Sequence, residues 1–454
     1  MNIRHYGRFR SPLAVPNLTD IQRVSYAEFL QEDVPFNRRS DSGLEAILRE
    51  TFPIYSYDKT VSLEYMGYEL GRPRYTADEC RILGVTYGMP FKILVRLEKP
   101  EPVEEWVYLG EIPIMVGGGE FIINGSERVI VSQLHRSPGV DFSVELHTSE
   151  KKLHSCWIIP QRGSWVELSV TKKDILDIKI DQSSKFPATT FLRAMSEDCG
   201  TDEQIIPLFY ETKKISLKSS KDKDLLGRHV VGDIVDQQTG EVLLPSGSAI
   251  TAESLETLLA SSLKSVDIIV NANDDPMLLY TLQEDDARSH EEALLKIYTR
   301  LRPGNPPNIE KARNLFRERF QDATRYRLGP VGRFRINRKF ERDASREQDM
   351  TLRPDDITDS IRYIMDLRAG RGQVDDIDHL GNRRVRTIAE LGGDEFRKGF
   401  LKLRRTASER MNNQEAIQTA TPRQLINSKT ISSAIEYFFG RGELSQVVDQ
   451  SNPL

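Results

Sequence analysis

The amino-acid sequence predicts a mixed α+β fold that is divided into more than one domain. The chain has 454 residues, and single hydrophobic cores stop growing at about 250–300 residues, so two or three domains are expected. Residues 85–140 carry short β-branched runs broken by Gly and Pro, which are typical of strands. Residues 141–378 alternate strand-like and helical segments, and residues 379–454 are mostly helical. No repeat of fixed period is present.

The first predicted element is a helix over residues 16–30. Thr19 and Gln22 have the spacing of a capping box, in which a hydroxyl and a side-chain amide each satisfy an unpaired backbone donor. Apolar residues follow at helical spacing, namely Ile21, Val24 and Phe29.

Strands are predicted in the next part of the chain. Asn124 and Gly125 separate two apolar runs, and this dipeptide favours a type I′ hairpin because both central positions need a positive φ. The segment WIIPQRGSWVELSV at 157–170 also has a strand pattern. Residues 217–274 are predicted to form a small β-rich insertion, which begins with the charged segment KSSKDKD at 218–224.

Apolar periodicity predicts helices at several later positions. The segments are 293–304, 311–320, 355–367, 394–411, 421–429 and 431–440. Thr421, Pro422 and Gln424 agree as N-cap, first helical residue and third helical residue. Gly440 is expected to end the last helix as a C′ residue.

The composition limits the function without identifying a partner. A net charge of -5 argues against a chain that coats nucleic acid along its whole surface, but binding follows the local field and not the total charge. The three cysteines are isolated, which fits a reducing compartment. No signal peptide and no run of about 18 apolar residues is present, so we expect a cytoplasmic chain without a membrane partner.

A self-contained active site is not visible in the sequence. There is no Walker loop, no GxSxG, no HExxH and no paired acidic motif for magnesium ions, and the seven histidines lack ligand spacing. The three glycines at 117–119 have no suitably placed lysine or helix start, so a turn is favoured over a phosphate-binding loop. We expect no catalytic residue, no metal ligand and no cofactor in this chain.

Basic residues give a stronger signal. Between His379 and Met411 there are nine lysines and arginines against four acids. Residues 332–339, GRFRINRK, form a second basic strip. Charge alone favours a solvated helix face. The alternative is contact with phosphate groups, for which the planar donor fork of arginine is well suited.

Six segments together resemble the bacterial RNA polymerase β-subunit family. They occur in the family order and extend over nearly the whole chain: YLGEIPIMVGGGEFIINGSERVIVSQLHRSPGV at 108–140, IIPQRGSWVE at 158–167, RPGNPP at 302–307, GRFRINR at 332–338, DDIDHLGNRRVR at 375–386, and TPRQLINSKTISSAIEYFFGRGELSQVVDQSNPL at 421–454. Six ordered matches of this length are far more specific than one short motif.

The resemblance implies a domain layout. Residues 1–140 and 379–454 would form a protrusion domain, and residues 141–378 would form a lobe domain inserted into it. The two domains would make one wall of the cleft that holds DNA. The family continues for several hundred residues beyond the point that matches Leu454, so the resemblance implies a truncated chain that lacks the catalytic C-terminal half and is inactive alone.

The resemblance also implies partners. The chain would belong to DNA-directed RNA polymerase, a nucleotidyltransferase, and would assemble with β′, α and σ subunits, DNA and nascent RNA in the cytoplasm, at the bacterial nucleoid. The catalytic Mg²⁺ ions would be held by the β′ partner. An alternative is a truncated, catalytically inert nucleic-acid-binding or assembly module.

The same resemblance implies a pocket for a flipped guanine of the non-template DNA strand. Its residues would be Arg136, Trp165, Ile377, Asp378 and Arg383. Asp378 would accept from guanine N1–H and N2–H, and Trp165 would stack on a neighbouring base. The two arginines would hold phosphate or base edges. From the residues alone, a half-buried core tryptophan and a turn-capping aspartate are the favoured interpretations.

A second implied site resembles a pocket for rifamycin-type inhibitors beside the path of nascent RNA. Its residues would be Arg128, Val131, Gln133, Leu444, Ser445, Gln446 and Asp449. Val447 and Val448 depart from the family pattern, in which larger side chains, commonly Phe and then Met, occupy these positions. Contact area for an inhibitor would therefore be lost. The alternative is a hydrogen-bonded loop that closes the protrusion.

Overall fold

The computed structural model of the chain describes residues 17–148, 150–217, 225–235, 242–260, 265–271, 275–343, 348–412, 420–449 and 451. The charged segment at 218–224 lies outside the described residues. Helices and several sheets occur together, so the predicted mixed α+β class is confirmed.

The described helices are numbered in chain order. They are α1 (Asp20–Leu30), α2 (Gly43–Thr51), α3 (Ala77–Leu83), α4 (Ala188–Met195), α5 (Asp202–Phe209), α6 (Ala252–Ala260), α7 (Met277–Glu284), α8 (His290–Leu301), α9 (Ile309–Phe316), α10 (Gly329–Lys339), α11 (Pro354–Arg368), α12 (Ile388–Met411), α13 (Pro422–Leu425) and α14 (Ser428–Glu436). A π-helical turn follows α9 at Arg317–Gln321, and another follows α14 at Tyr437–Arg441. Within the described part of the chain, no helix has both the length and the apolar character needed to cross a membrane.

The described strands form several sheets. They are β1 (Ile54–Tyr55), β2 (Ser62–Leu70), β3 (Gly88–Glu98), β4 (Val103–Pro113), β5 (Phe121–Ile123), β6 (Ser126–Ile130), β7 (Gln133–Arg136), β8 (Gly139–Leu146), β9 (Lys152–Ile159), β10 (Val166–Val170), β11 (Leu176–Ile180), β12 (Phe186–Pro187), β13 (Thr212–Ser216), β14 (His229–Val230), β15 (Ile234–Val235), β16 (Val242–Leu244), β17 (Ser265–Ile269), β18 (Arg383–Arg386) and β19 (Ser445–Val447). The sheet orders are β1-β2-β3-β4, β12-β11-β10-β9-β8, β13-β17-β14, β15-β16, β18-β7 and β19-β6-β5.

The chain divides into two compact units. Unit 1 contains Met1–His135 and Val385–Leu454, and unit 2 contains Arg136–Arg384. The chain passes from one unit to the other after His135 and after Arg384. The predicted boundaries, near residues 140 and 378, lie a few residues away from these positions. The designation of the units as protrusion and lobe stays a prediction.

Unit 1 has its core between the sheet β1–β4 and helices α1, α2, α12 and α14. Helix α12 follows the predicted periodicity, because Phe396, Phe400 and Leu403 are at most 2% exposed. Helices α12 and α14 approach closely at Gly399, where an added Cβ would lie 3.2 Å from the Cβ of Ala434. Arg397 of the long helix also pairs with Glu50 of α2 at 3.2 Å, so the helix ties the second chain segment of unit 1 to the first.

Unit 2 is built on the five-stranded sheet β8–β12. Phe142, Cys156 and Leu168 are register partners on β8, β9 and β10, and all three are fully buried. Because side chains alternate along a strand, the neighbouring positions of these strands project from the opposite face. Ile357 and Ile361 of α11 are also fully buried, which confirms the predicted apolar face of that helix.

A third, smaller hydrophobic cluster lies within the predicted insertion. It includes Leu217, Val230, Leu244, Leu258 and Ile268. Val230, Leu244 and Ile268 come from strands and Leu258 comes from helix α6, so the region is not purely β. The status of this region as a separate module stays a prediction.

The Asn124–Gly125 hairpin is confirmed. The two residues have φ values of 51° and 79° and connect β5 to β6, with Ile123 paired to Ser126. The local turn chemistry was sufficient for this prediction, because no distant residue is needed to set the backbone conformation.

The predicted capping box of α1 is wrong. The Thr19 side chain makes no capping hydrogen bond, and the Gln22 amide instead donates to the backbone carbonyl of Ile130 at 2.7 Å. A tertiary acceptor has therefore replaced the local one. Ile21 and Val24 are each 49% exposed, so they do not belong to the buried face of this helix.

The predicted end of the last helix at Gly440 is also wrong. The α-helix changes into the π-helical turn Tyr437–Arg441, and the chain leaves the turn at Gly442 with an extended ψ of 147°. The wider turn places the consecutive residues Phe438 and Phe439 in the core, where they are 7% and 1% exposed. The prediction of an ordinary Gly cap could not include this change of helix type.

Candidate nucleic-acid interface

The first candidate group centres on Arg136, the last residue of β7. Its guanidinium carbon lies 5.4 Å from the ring centre of Trp157 on β9 and 6.0 Å from the ring centre of Trp165. The two indole rings stand edge to face, with their centres 6.3 Å apart. Both distances from Arg136 are within the range of a cation–π interaction. We call these three residues the Trp–Arg–Trp group.

Asp141 supplies the acidic partner of this group. It is the register partner of Trp157, so both side chains project from the same face of the sheet. The Asp141 side chain is 2% exposed and accepts from Arg136 at 3.0 Å and from Arg335 at 2.8 Å. One carboxylate thus faces two guanidinium groups, and the local excess of positive charge suits an anionic or electron-rich ligand.

Trp165 is held by the turn that precedes β10. Its backbone N–H donates to one carboxylate oxygen of Asp181 at 2.8 Å, and Arg319 donates to the other at 3.1 Å. Gly163 has a φ of 129°, and an added Cβ there would lie 2.6 Å from the ring of Tyr326. Trp165 is 38% exposed. It therefore lies at the edge of the core with part of its ring open to solvent.

Ile377, Asp378 and Arg383 form a second contact group. Arg383 donates to the Asp378 carboxylate at 2.9 Å and to the backbone carbonyl of Ile377 at 3.3 Å. The Asp378 side chain is 79% exposed. The turn is capped by Asp376, whose carboxylate accepts from the backbone N–H of Asp378 at 2.9 Å. The Asp378 carboxylate is therefore directed to Arg383 and solvent.

Asn382 connects the two groups within unit 2. Its backbone carbonyl accepts from the N–H of Ser137 at 3.1 Å, and its side-chain oxygen accepts from Arg335 at 3.3 Å. Ser137 follows Arg136, and Asn382 precedes Arg383. The structure thus places all five predicted pocket residues in one unit, in two groups that share a short hydrogen-bonded connection.

The second candidate site is the sheet β19-β6-β5 of unit 1. Arg128 on β6 lies 3.4 and 3.5 Å from the carbonyl and hydroxyl oxygens of Ser445 on β19. The N–H of Val131 donates to the carbonyl of Leu444 at 2.9 Å, and Gln446 continues the strand. The chain at 445–447 is therefore a paired strand.

Gln133 and Asp449 lie at the margins of this second site. Gln133 accepts from Arg386 at 3.4 Å and lines, with Leu444, a cavity of about 260 Å³. Asp449 forms a local turn, in which its carboxylate accepts from the N–H of Ser451 at 2.9 Å. This backbone hydrogen bond lowers the pKa of the Asp449 carboxyl.

The basic strip at 332–339 is largely engaged inside unit 2. Arg333 is 1% exposed and donates to the Asp356 carboxylate at 2.7 Å. Lys339 lies 2.8 Å from the Asp375 carboxylate. For Arg333 both the solvated-face interpretation and the phosphate-contact alternative are wrong, because its charge is buried and paired.

The basic residues of 379–411 are also partly neutralised. Several of them have acidic partners in unit 1: Arg386 with Asp394, Arg397 with Glu50 and Asp394, Lys398 with Glu395, and Arg405 with Glu409. The excess counted from the sequence therefore overestimates the charge that is open to a ligand.

Sequence reasoning missed four residues that build the first candidate group. They are Trp157, Asp141, Arg335 and Asn382. The sequence did show Trp157 in a predicted strand. The residues that contact it could not be predicted, because they depend on the register of the neighbouring strands. Within the described residues, no cluster of three or more His, Cys, Asp or Glu side chains could hold a metal ion.

Comparison with known proteins gives a consistent result. The family model described as RNA polymerase Rpb2, domain 2, matches residues 269–386. The chain is 56% identical over 461 residues to the DNA-directed RNA polymerase subunit beta of Rhodopirellula baltica, covering 100% of the chain and 37% of that subunit. It is 40% identical to the subunit beta of Leptospira biflexa and 37% identical to that of Sorangium cellulosum, with 100% and 99% of the chain and 38% of each subunit covered.

These matches show similarity to one class of protein, the subunits of DNA-directed RNA polymerase. The chain belongs to the family of bacterial RNA polymerase β subunits and corresponds to the N-terminal region of that subunit. It spans 37–38% of the length of the curated relatives described here.

Proposed function

We propose that this chain takes part in DNA-directed RNA synthesis as the region of the β subunit that forms one wall of the DNA cleft. Its share is to hold separated DNA strands and the path of nascent RNA, while bond formation takes place elsewhere in the complex. The relatives are named as subunits of DNA-directed RNA polymerase, and the residues of both candidate sites have side chains suited to nucleic acid.

The observation that carries the proposal is the Trp–Arg–Trp group, a guanidinium beside two indole rings with a partly exposed ring at Trp165. Single-stranded nucleic acid is bound by this combination of cation and aromatic faces, and stacking contributes about 1–3 kcal/mol per base. Trp165 would stack on an unstacked base, and Arg136 would contact a phosphate or a base edge.

Base selection would come from Asp378. Guanine presents N1–H and N2–H side by side, and a carboxylate can accept both. Arg383 occupies one Asp378 oxygen at 2.9 Å, and the side chain is 79% exposed. Because an ionised carboxylate has about four acceptor positions, guanine can bind without displacing Arg383. Ile377, 36% exposed, would supply an apolar contact to the base.

The path of nascent RNA would follow the sheet β19-β6-β5. Arg128, with long contacts of 3.4 and 3.5 Å to Ser445, can turn to a phosphate at small cost because long hydrogen bonds are weak. Gln446 would contribute a polar contact beside it. Val447 is 62% exposed, and its small side chain offers an inhibitor less area than the larger residue of the family pattern.

The catalytic magnesium ions would be held by the β′ partner, where two-metal chemistry joins ribonucleoside triphosphates. The described residues of this chain offer no matching ligand cluster. We propose that the chain alone makes no RNA and acts together with β′, α and σ subunits. The alternative, a catalytically inert nucleic-acid-binding or assembly module, is separated from this proposal by the experiment below.

The test measures binding of the full chain to a short labelled oligothymidylate with one central guanine and to the matched oligomer without it. The unmutated chain should bind the guanine oligomer more tightly. Asp378→Ala should remove this preference but keep most of the binding, because the stacking contact remains. Asp366→Ala is the matched control, since Asp366 pairs with Arg371 at 2.8 Å over the same sequence separation. Equal binding of the two oligomers by the unmutated chain favours the module without base selection.

A further inference from the structure

Trp157 is the member of the Trp–Arg–Trp group that neither the sequence motifs nor the proposed pocket includes. Its ring centre is 5.4 Å from the Arg136 guanidinium carbon, compared with 6.0 Å for Trp165. It is less exposed than Trp165, with intermediate burial. Its position is set by β9, whose register places it beside Asp141 on one side and Glu167 on the other. Trp157 is thus the nearer of the two rings, and it lies in a strand that is paired on both sides.

The hydrogen bonds of Arg136 do not fix its direction. One terminal nitrogen donates to Asp141 at 3.0 Å, and Asp141 is shared with Arg335. The Nε of Arg136 is buried without a hydrogen-bond partner among the described residues. A guanidinium with one hydrogen bond can still swing about that bond. The contacts with the rings of Trp157 and Trp165 then limit this motion.

We propose that Trp157 is a positioning residue of the guanine pocket, which holds Arg136 by a cation–π contact and braces Trp165 by an edge-to-face contact. Trp165 then remains open to stack on a base. This inference rests on the proposed function, because it assigns the residue that orients the arginine of that pocket. The guanidinium is attracted by the negative face of the indole ring, and perpendicular ring pairs at 6.3 Å are a favourable aromatic geometry.

The first experiment measures guanine preference in the full chain, with the same pair of labelled oligothymidylates. Trp157→Leu should lower the preference by about fivefold, the ratio that corresponds to loss of one partly exposed cation–π contact. Trp157→Phe should retain most of it, because a phenyl ring keeps an aromatic face for Arg136. Trp106→Leu, a change of an exposed tryptophan in unit 1, is the matched control and should have no effect.

A double-mutant cycle tests whether Trp157 acts through Arg136. The losses caused by Arg136→Ala and Trp157→Leu should be less than additive, because part of the effect of Trp157→Leu passes through Arg136 and the rest through Trp165. Additive losses overturn the positioning role. Circular dichroism tests the ring contact without requiring nucleic-acid binding. The exciton signal of the Trp157–Trp165 pair should vanish in Trp157→Leu and in Trp165→Leu but persist in Trp106→Leu.

The outcomes separate the inference from the proposed function. If the unmutated chain does not distinguish guanine, the proposed pocket fails and the inference falls with it. If the unmutated chain prefers guanine and Trp157→Leu keeps the full preference while remaining folded, the pocket stands and the positioning role is overturned. If Trp157→Phe loses as much guanine preference as Trp157→Leu while its thermal unfolding is unchanged, the aromatic contact is not the cause. The inference is then overturned as well.

Discussion

Two buried carboxylates of unit 2 each face two arginines, yet their surroundings differ. Asp356 accepts from Arg333 at 2.7 Å and from Arg342 at 2.6 Å. Asp141 accepts from Arg136 at 3.0 Å and from Arg335 at 2.8 Å. Each carboxylate thus faces two guanidinium groups, although Arg342 also pairs with Asp359. The difference lies in how completely the remaining donors of the arginines are satisfied.

The Asp356 group is saturated. Arg333 is 1% exposed, and besides its two bonds to Asp356 it donates to the carbonyls of Asp349 at 2.5 Å and Thr351 at 2.6 Å. The Arg136 side chain is 21% exposed, and its Nε has no hydrogen-bond partner within the described residues. An arginine in which every nitrogen has a hydrogen-bond partner stabilises the fold, whereas one that keeps a solvent-facing side can bind a ligand.

The largest effect is expected for Asp356→Ala. Removing this carboxylate leaves the buried Arg333 without its charged partner, which costs about 3–5 kcal/mol of unfolding free energy. Guanidinium chloride unfolding followed by tryptophan fluorescence measures it. A Trp106→Phe background restricts the signal to Trp157 and Trp165, both in unit 2. A loss below about 1 kcal/mol, the range of an exposed ion pair, would contradict the saturated-group interpretation.

A smaller loss is expected for Asp141→Ala. Its arginines keep 21% and 17% side-chain exposure, so water can solvate the charges that the substitution leaves behind. We expect a decrease of about 1–3 kcal/mol in the same unfolding measurement. The guanine preference should also decrease, because Arg136 loses its hydrogen bond. If Asp141→Ala destabilises unit 2 as much as Asp356→Ala, the distinction between the two groups does not hold.

Sequence alone predicted the parts of the fold that depend on local chemistry. The Asn124–Gly125 turn and the buried face of α12 follow from backbone conformation and helical spacing, and both are confirmed. Gln22 shows the limit, because its amide donates to Ile130, 108 positions away in the chain. The partner of a side-chain amide that has both a local and a distant acceptor cannot be predicted before the tertiary contacts are known.

The candidate site was predictable only through the resemblance, and then only in part. Arg136, Trp165 and Asp378 lie in segments that resemble the family. Trp157 lies outside those segments, and its neighbours are set by the register of β8, β9 and β10. Arg333 gives the converse lesson. It lies in a basic strip that suggested a surface, and its burial follows from a pairing with Asp356 that charge patterns do not reveal.

A third group extends the comparison to pH. Arg368 donates to Asp275 at 2.7 Å and to Asp174 at 3.0 Å, and His154 is buried nearby. Burial, and then the positive charges of Arg368 and Lys152, lower the pKa of His154 below its ordinary 6.5, and Asp275 opposes this shift. The folded state therefore binds the histidine proton less readily than the unfolded state does.

The sign of the pH effect follows from this shift. Above pH 6.5 both states hold His154 neutral and no stability is lost. As the pH falls from 6.5 towards the lowered folded pKa, the unfolded state takes up the proton first, and unit 2 loses stability. Unfolding of His154→Gln and of the control His147→Gln, measured above and below pH 6.5, checks this expectation. An undiminished pH dependence in His154→Gln contradicts it.

The smallest effect is expected at the exposed pairs. Asp378 pairs with Arg383 and Asp366 pairs with Arg371, with side-chain exposures of 79% and 44% for the two carboxylates. Water and salt screen such pairs, so Asp378→Ala and Asp366→Ala should each change the unfolding free energy by about 0–1 kcal/mol, and added salt should reduce the change further. The two variants should then differ only in guanine binding. Both variants should remain folded, so a loss of guanine preference in Asp378→Ala alone indicates that Asp378 contacts the ligand. An equal loss in Asp366→Ala would show that the effect comes from surface charge in general and would contradict that contact.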